Sequence, residues 1–252
     1  MARPIALISD IHGNRVALDA VLADCASAGV AEYWVLGDLV ALGPDPVGVL
    51  ERLTALPNAR FIRGNTDRYV VTGDRPPPYA HDVGADPALL RVYAEVAGTF
   101  AWTQGALTAG GWLDWLAGLP LELRETLPDG TDFLGVHAAP GTDDGDGIQP
   151  DAPNDALRAL LAGCGADLIC VGHTHLALDR ALERWRVVNP GSVSNPRGHD
   201  LRASYVLLDA DADGYRCAHR RVDYDRAQVV TRLRAQRHPG AEFIIRHMRG
   251  EM

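Results

Sequence analysis

Runs of consecutive apolar residues alternate with amphipathic stretches over the first part of the chain. Ile5 to Ser9, Tyr33 to Gly37 and Arg60 to Arg63 are short apolar runs that predict strands, whereas Asn14 to Ala28 and Pro46 to Thr54 carry the spacing of helices. Such βαβαβ alternation predicts an α/β fold with a mostly parallel sheet and helices on its faces. Further strands are predicted at Asp132 to Val136 and Leu168 to Val171, separated by a loop rich in Gly, Asp and Pro and a helix from Asn154 to Leu161. Arg186 to Asn189, Ser204 to Asp209 and Tyr215 to Arg220 predict strands closing a second sheet, and a helix from Tyr224 to Ala235 is expected to end the ordered core.

The pattern changes between Asp67 and Leu121, where helical and loop material contains Pro76-Pro77-Pro78 and the tryptophans Trp102, Trp112 and Trp115. This predicts one domain over residues 1–252 with an inserted helical and loop subdomain at about 68–120. The tryptophans are expected to form a small core of the insert's own, and the insert is a candidate lid.

Composition narrows the function classes. A chain of 252 residues, 47% of them apolar, can bury a substantial core. Its net charge is −9, and its basic residues are spread along the chain, so no footprint for duplex nucleic acid is visible. The four cysteines, Cys25, Cys164, Cys170 and Cys217, lack the spacing of a disulfide framework and are read as reduced thiols. There is no signal-peptide pattern and no apolar run of membrane-spanning length, which leads to the expectation of a cytoplasmic protein without membrane partners.

The residues that follow the predicted strands carry the chemistry. Asp10-Ile-His12, Asp38, Asn65, His137 and His173-Thr-His175 each come directly after an apolar run or a few residues beyond it. Ligands bind beyond the carboxyl ends of the strands in open α/β sheets, so these oxygen and imidazole groups are expected to converge on one site. Gly37, Gly64 and Gly172 sit just before ligand candidates, where a residue without Cβ lets the backbone turn. Any one fragment could be an ordinary turn, a helix cap or a core histidine; their joint occurrence at successive strand ends is the signal.

In this order, Asp10-Ile-His12-Gly-Asn, Gly37-Asp38, Gly64-Asn65, Val136-His137 and Gly172-His173-Thr-His175 resemble the calcineurin-like metallophosphoesterase superfamily. The likeness runs from residue 4 to about residue 220, and Gly37-Asp-Leu-Val-Ala-Leu-Gly-Pro44 with Asn189-Pro-Gly-Ser192 looks like its small bacterial phosphodiesterase branch. The resemblance implies a four-layered α/β/β/α sandwich with a helical insert. It also implies two divalent metals about 3.5 to 4 Å apart. Asp10, His12 and His175 would hold one metal and Asn65, His137 and His173 the other, with Asp38 bridging; Asp38, Asn65 and His173 are the implied catalytic supports. A donor set of this kind, without thiolate, suits Mn, Fe, Ni, Co or Zn. The implied reaction is in-line attack by a metal-bridging hydroxide on a phosphodiester or phosphomonoester of a small molecule, with a nucleotide among the candidates.

One position departs from the family pattern. Many members carry His after the Asn of the third motif, and here the residue is Thr66, whose hydroxyl is no useful acid at neutral pH. His81 and His199 are loop candidates to replace it, and Arg15 is a candidate for substrate phosphate, while Asn14 reads as a helix cap. The acidic stretch Asp143-Asp144-Gly-Asp146 is expected to be a solvated loop near the site mouth, and Asp209-x-Asp211-x-Asp213-Gly214 a hairpin turn rather than a calcium loop. The alternative function is a binding protein that keeps the fold without turnover. Retention of every expected ligand weighs against it.

Overall fold

The computed structural model describes residues 4–251. The first strands and helices fall where the hydrophobic pattern puts them: β1 (Ile5–Ile8), α1 (Arg15–Ser27), β2 (Glu32–Leu36), α2 (Pro46–Thr54), β3 (Ala59–Ile62) and α3 (Asn65–Thr72). β1, β2 and β3 pair in parallel. After them come α4 (Ala80–Ala85), a short 3-10 turn, α5 (Leu90–Ala109), α6 (Leu113–Ala117), β4 (Glu122–Thr126) and β5 (Asp132–Val136). The chain continues through α7 (Asn154–Leu161), β6 (Leu168–Cys170), β7 (Leu178–Leu182), β8 (Trp185–Asn189), β9 (Ala203–Asp211), β10 (Gly214–Val222), α8 (Arg226–Ala235) and α9 (Ala241–Met248).

Two five-stranded mixed sheets result, ordered β10-β9-β1-β2-β3 and β4-β5-β6-β8-β7. Alternate residues of a strand point to opposite faces, and here both faces are apolar. Leu7, Trp34 and Leu36 meet Phe133, Leu168 and Cys170 in the layer between the sheets. Their neighbours Ala6, Ile8 and Val35 pack against Leu18, Val21 and Leu50 of α1 and α2. On the far side, Leu134, Ile169 and Val187 pack against Leu157 and Leu161 of α7. This is the expected α/β/β/α layering, with the carboxyl ends of the parallel strands of both sheets left for the site.

The structure corrects several expectations. β9 and β10 do not close the second sheet; β9 lies antiparallel to β1, with Ile5 opposite Leu208, and extends the first. The second sheet is completed instead by β4 and β7, charged strands at its two edges, where polar side chains suit an exposed rim. The helix α8 does not end the ordered core. Ile244, Ile245 and Met248 of α9 are buried with Val229 and Leu233 of α8.

The tryptophans do not form a separate core. Trp112 and Trp115 pack on the main cluster, Trp115 edge-on to Phe61 of β3 at 5.4 Å, and Trp102 meets His238 at 4.5 Å. The expected insert boundary at residue 68 also falls inside α3. The Asp211–Gly214 segment is the expected β9–β10 hairpin turn, and all four cysteines are free. Among the described residues no helix is long and apolar enough to cross a membrane.

Candidate metal centre

The loops leaving β1 and β2 are zipped together by backbone bonds. Asp10 N–H donates to Gly37 O at 3.2 Å and His12 N–H to Asp38 O at 2.9 Å. A third loop joins them, with Ser192 Oγ donating to Asp10 O at 2.9 Å and Asn189 Nδ2 to Gly172 O at 2.6 Å. Asn189 and Ser192 therefore hold the His173-Thr-His175 turn against Asp10. Close approach explains two of the glycines: a Cβ on Gly64 would collide with Asp38 Oδ1, and one on Gly172 would lie 2.8 Å from Asp10 Oδ2.

One ligand atom from each of Asp10, His12, Asp38 and His175 lies within 4.8 Å of all the others. His175 Nε2 is 3.2 Å from Asp10 Oδ1 and 3.1 Å from His12 Nε2, and His12 Nε2 is 3.5 Å from Asp38 Oδ2. His137 Nε2 is 3.4 Å from the same Asp38 oxygen, Oδ2. Asn65 Oδ1 and His173 Nδ1 face each other at 3.1 Å. Asp10, His12, Asp38, Asn65 and His137 are buried, with His175 slightly open.

Backbone carbonyls orient the rings. His137 Nδ1–H donates to Leu36 O and His175 Nδ1–H to Asn195 O, both at 2.8 Å, which turns each Nε2 inward. His173 Nε2–H donates to Gly145 O at 2.7 Å, so its Nδ1 presents a lone pair to the Asn65 oxygen. Asp10 Oδ2 and His137 Nε2 are buried without hydrogen-bond partners. Oxygens and ring nitrogens gathered in this way, two of them without hydrogen-bond partners, fit divalent cations, which would coordinate them in common.

Charge follows the same geometry. Burial would raise Asp10 and Asp38, but neighbouring imidazoles outweigh it and hold both carboxyls below their usual range, His175 chiefly for Asp10 and His137 for Asp38. Burial pulls His12 down to about 4, so this ring is neutral and ready to ligate. For His137 burial is overcome by the carboxylates of Asp38 and Asp10, and its pKa rises to about 10.

The calcineurin-like phosphoesterase superfamily domain matches residues 4–213 of the chain. The chain belongs to this superfamily. An uncharacterized protein of Methanocaldococcus jannaschii is 30% identical over 251 residues, covering 93% of each chain. A crystal structure of a metallophosphoesterase from Sphaerobacter thermophilus superimposes with a TM-score of 0.77 at 27% identity, over 100% of both chains. That of a hypothetical protein of Pyrococcus horikoshii does so with a TM-score of 0.80 at 26% identity over 97% of each. Family membership and the ligand cluster together support phosphoesterase activity.

The remaining sequence candidates fall in different places. Thr66 is at the centre: its N–H donates to Asp38 Oδ1 at 2.9 Å, and its buried hydroxyl has no partner. Asn14 caps α1 as expected, accepting from Ala17 N–H at 3.1 Å. Arg15 is turned to Asp19, an acid it shares with Arg52 of α2, and is not brought to the ligands. His81 is 80% exposed beside Asp82 on α4, and His199 is exposed in the loop before β9.

Two features were missed in the sequence. Asp67 is fully buried and accepts from the N–H groups of Leu39, Val40 and Gly64, tying the loop after Asp38 to the turn before Asn65. The fourth residue of Gly64-Asn-Thr-Asp67 was legible only as a helix-capping acid. The acidic loop is also not simply solvated. Asp143 is 5% exposed and clasped by Arg63 and Arg68, while Asp144 takes Arg68 and Tyr69, and this network sets the Gly145 carbonyl against His173.

Proposed function

We propose that the protein hydrolyses small phosphodiesters or phosphomonoesters with two divalent transition-metal ions drawn from Mn, Fe, Ni, Co and Zn. The observation that carries this reading is the inward-facing set of ligand atoms: Asp10, His12, Asp38 and His175 gathered together, His137 beside the same Asp38 oxygen that His12 approaches, and Asn65 facing His173. Cations held there would supply the positive charge that draws a phosphate into a protein of net charge −9, and would activate the attacking water.

The chain's own residues position the rest. Asp38 has one oxygen fixed by the Thr66 amide and the other directed at His12 and His137, the orientation a bridging carboxylate needs. Leu36 O and Asn195 O lock the tautomers of His137 and His175. Imidazole and amide ligands add no negative charge to repel the substrate. Thr66 leaves the leaving group without an imidazole acid, so esters of acidic alcohols are favoured.

The test is metal analysis coupled to hydrolysis of bis-p-nitrophenyl phosphate and p-nitrophenyl phosphate. Wild type purified without chelator is expected to hold close to two transition-metal ions per chain and to turn over, and Asp38→Ala to lose both metal and activity. An Asp38→Ala variant with full metal content and full activity refutes the bridging role. Full metal content in wild type with no turnover on any ester points instead to a binding protein.

A further inference from the structure

A cavity of about 480 Å³ opens beside His175, outside the ligand cluster. Its walls come from the loop after β8, from Leu42 in the loop after β2 and from α9. The cavity and the metal centre share His175 as a wall, and they share its supports. Arg197 N–H donates to His175 O at 3.1 Å. Asn195 O, which accepts from His175 Nδ1 at 2.8 Å, also accepts from His247 Nε2 of α9 at 3.2 Å. A phosphate held at the ligands therefore has this cavity as a neighbouring space for its organic substituent.

The lining describes that substituent. Leu42, Leu201 and Phe243 give apolar walls, and the Phe243 and His247 rings lie one helical turn apart with their planes only 29° from parallel. Arg197 is exposed at the cavity, and no carboxylate among the described residues lies within ion-pairing distance of its guanidinium. An unpaired guanidinium beside a phosphate centre in an acidic protein is placed to meet an anion. The volume is within the roughly 300–1,000 Å³ of small-molecule pockets and too small for a folded polymer segment.

We propose that this cavity is the specificity pocket of the phosphoesterase and that it takes a nucleoside, with the base against Phe243 and His247 and Arg197 paired to the phosphate. The substrates are then nucleoside phosphate esters, and α9 is the element that selects them. This rests on the phosphoesterase reading above, so the test has one arm that needs turnover and one that does not.

The first arm compares thymidine 5'-(p-nitrophenyl phosphate) with methyl p-nitrophenyl phosphate on the metal-loaded protein. Both release the same leaving group from a singly charged diester, so the ratio of their kcat/KM values reports the substituent alone. Base stacking on an aromatic side chain leads to an expected preference of roughly tenfold or more for the nucleoside ester. Phe243→Ala should bring the ratio to within about threefold of unity, Phe243→Leu should fall between, and Arg197→Ala should raise KM for both esters. An active wild type with a ratio near one, or a ratio unchanged in the Phe243 variants, overturns the proposal. Equal loss on both esters in the Phe243 variants overturns it too, since that is a structural effect.

The second arm measures binding of thymidine 5'-monophosphate by saturation-transfer NMR on wild type and Phe243→Leu. Saturation of the base protons that is weakened in Phe243→Leu supports the pocket even if no ester is hydrolysed, an outcome that would remove only the phosphoesterase reading. No binding, or binding indifferent to Phe243, overturns the pocket.

Discussion

Replacing Asp67 tests how the centre is held together. The side chain is fully buried, and Asp67→Ala strips the acceptor from the amides of Leu39, Val40 and Gly64. A buried donor left unpaired costs about 1–3 kcal/mol, and three together cost about 3–6 kcal/mol once the loops shift to admit water. In a chain of this size each kcal/mol moves Tm by about 2–4 °C, so metal-free Asp67→Ala should melt roughly 6–24 °C below wild type. Asp67→Asn keeps one acceptor for Leu39 and Val40 and sets an NH₂ against Gly64 N–H, at a cost of about 1–3 kcal/mol. Because these loops carry Asp38 and Asn65, both variants should also bind metal about 10- to 100-fold more weakly. Burial and the nearby Asp38 charge raise Asp67 to about 7, so its contribution is greatest below its usual 3.8 and is lost as pH rises through about 7. The gap between wild type and Asp67→Asn should therefore narrow over that interval. Thermal unfolding by circular dichroism and metal retention after gel filtration read both effects. An Asp67→Ala variant that melts within about 3 °C of wild type and keeps its metal would show that these amides need no carboxylate.

Four further outcomes follow. With His137 raised to about 10, metal uptake near neutral pH should expel about one proton from this ring, seen by calorimetry in buffers of different ionisation enthalpy; no proton release would refute the assignment. The same raised value means that metal-free stability is fully supported below about 6.5 and declines as pH rises through about 10, whereas metal-loaded protein escapes this loss. Thr66→His should flatten the dependence of rate on leaving-group pKa, by about 10²–10⁴ for alkyl esters if the new ring reaches the leaving oxygen; a shallow dependence already in wild type would show that another group protonates it. Shortening the Pro76–Pro78 segment should change KM among substrates more than metal content, and unchanged selectivity would make that segment purely structural.

The strands and the ligands were legible in the sequence for one physical reason. A central strand buried on both faces must be apolar throughout, and the first polar residue after it marks the sheet's carboxyl edge. Ile5 to Ile8 followed by Asp10, and Leu168 to Cys170 followed by His173, state both facts at once. What pairs with what is not local. The alternation in Ser204 to Asp209 specifies a strand, but its place beside β1 depends on contacts with residues nearly two hundred positions away. The edge strands β4 and β7 were invisible because their exposed rims admit Glu, Arg and Asp. Asp67, Asn195 and His247 escaped for a related reason: Asp67 and His247 bond backbone atoms of other loops, Asn195 offers its own carbonyl to His175, and no spacing records such contacts.

The backbone at the ligands shows why these loops need so much support. Asp10, His12, Asp38, His173 and His175 all have φ between 48° and 65°, in the left-handed region that side chains with a Cβ rarely occupy. At about 1 kcal/mol or more each, these five conformations together cost on the order of 5 kcal/mol, comparable to the net stability of many domains. Glycine would relieve that strain at every position and would remove the ligand. The sequence instead keeps the ligands and spends glycine on the neighbours, Gly64 and Gly172, where the backbones must pass against Asp38 and Asp10. Bonds from Asn189, Ser192 and Asp67 then lock the strained turns to one another. The strain keeps the donors of separate loops directed at a common centre. That explains why the ligand atoms of Asp10, His12, Asp38 and His175 stay gathered within 4.8 Å of one another.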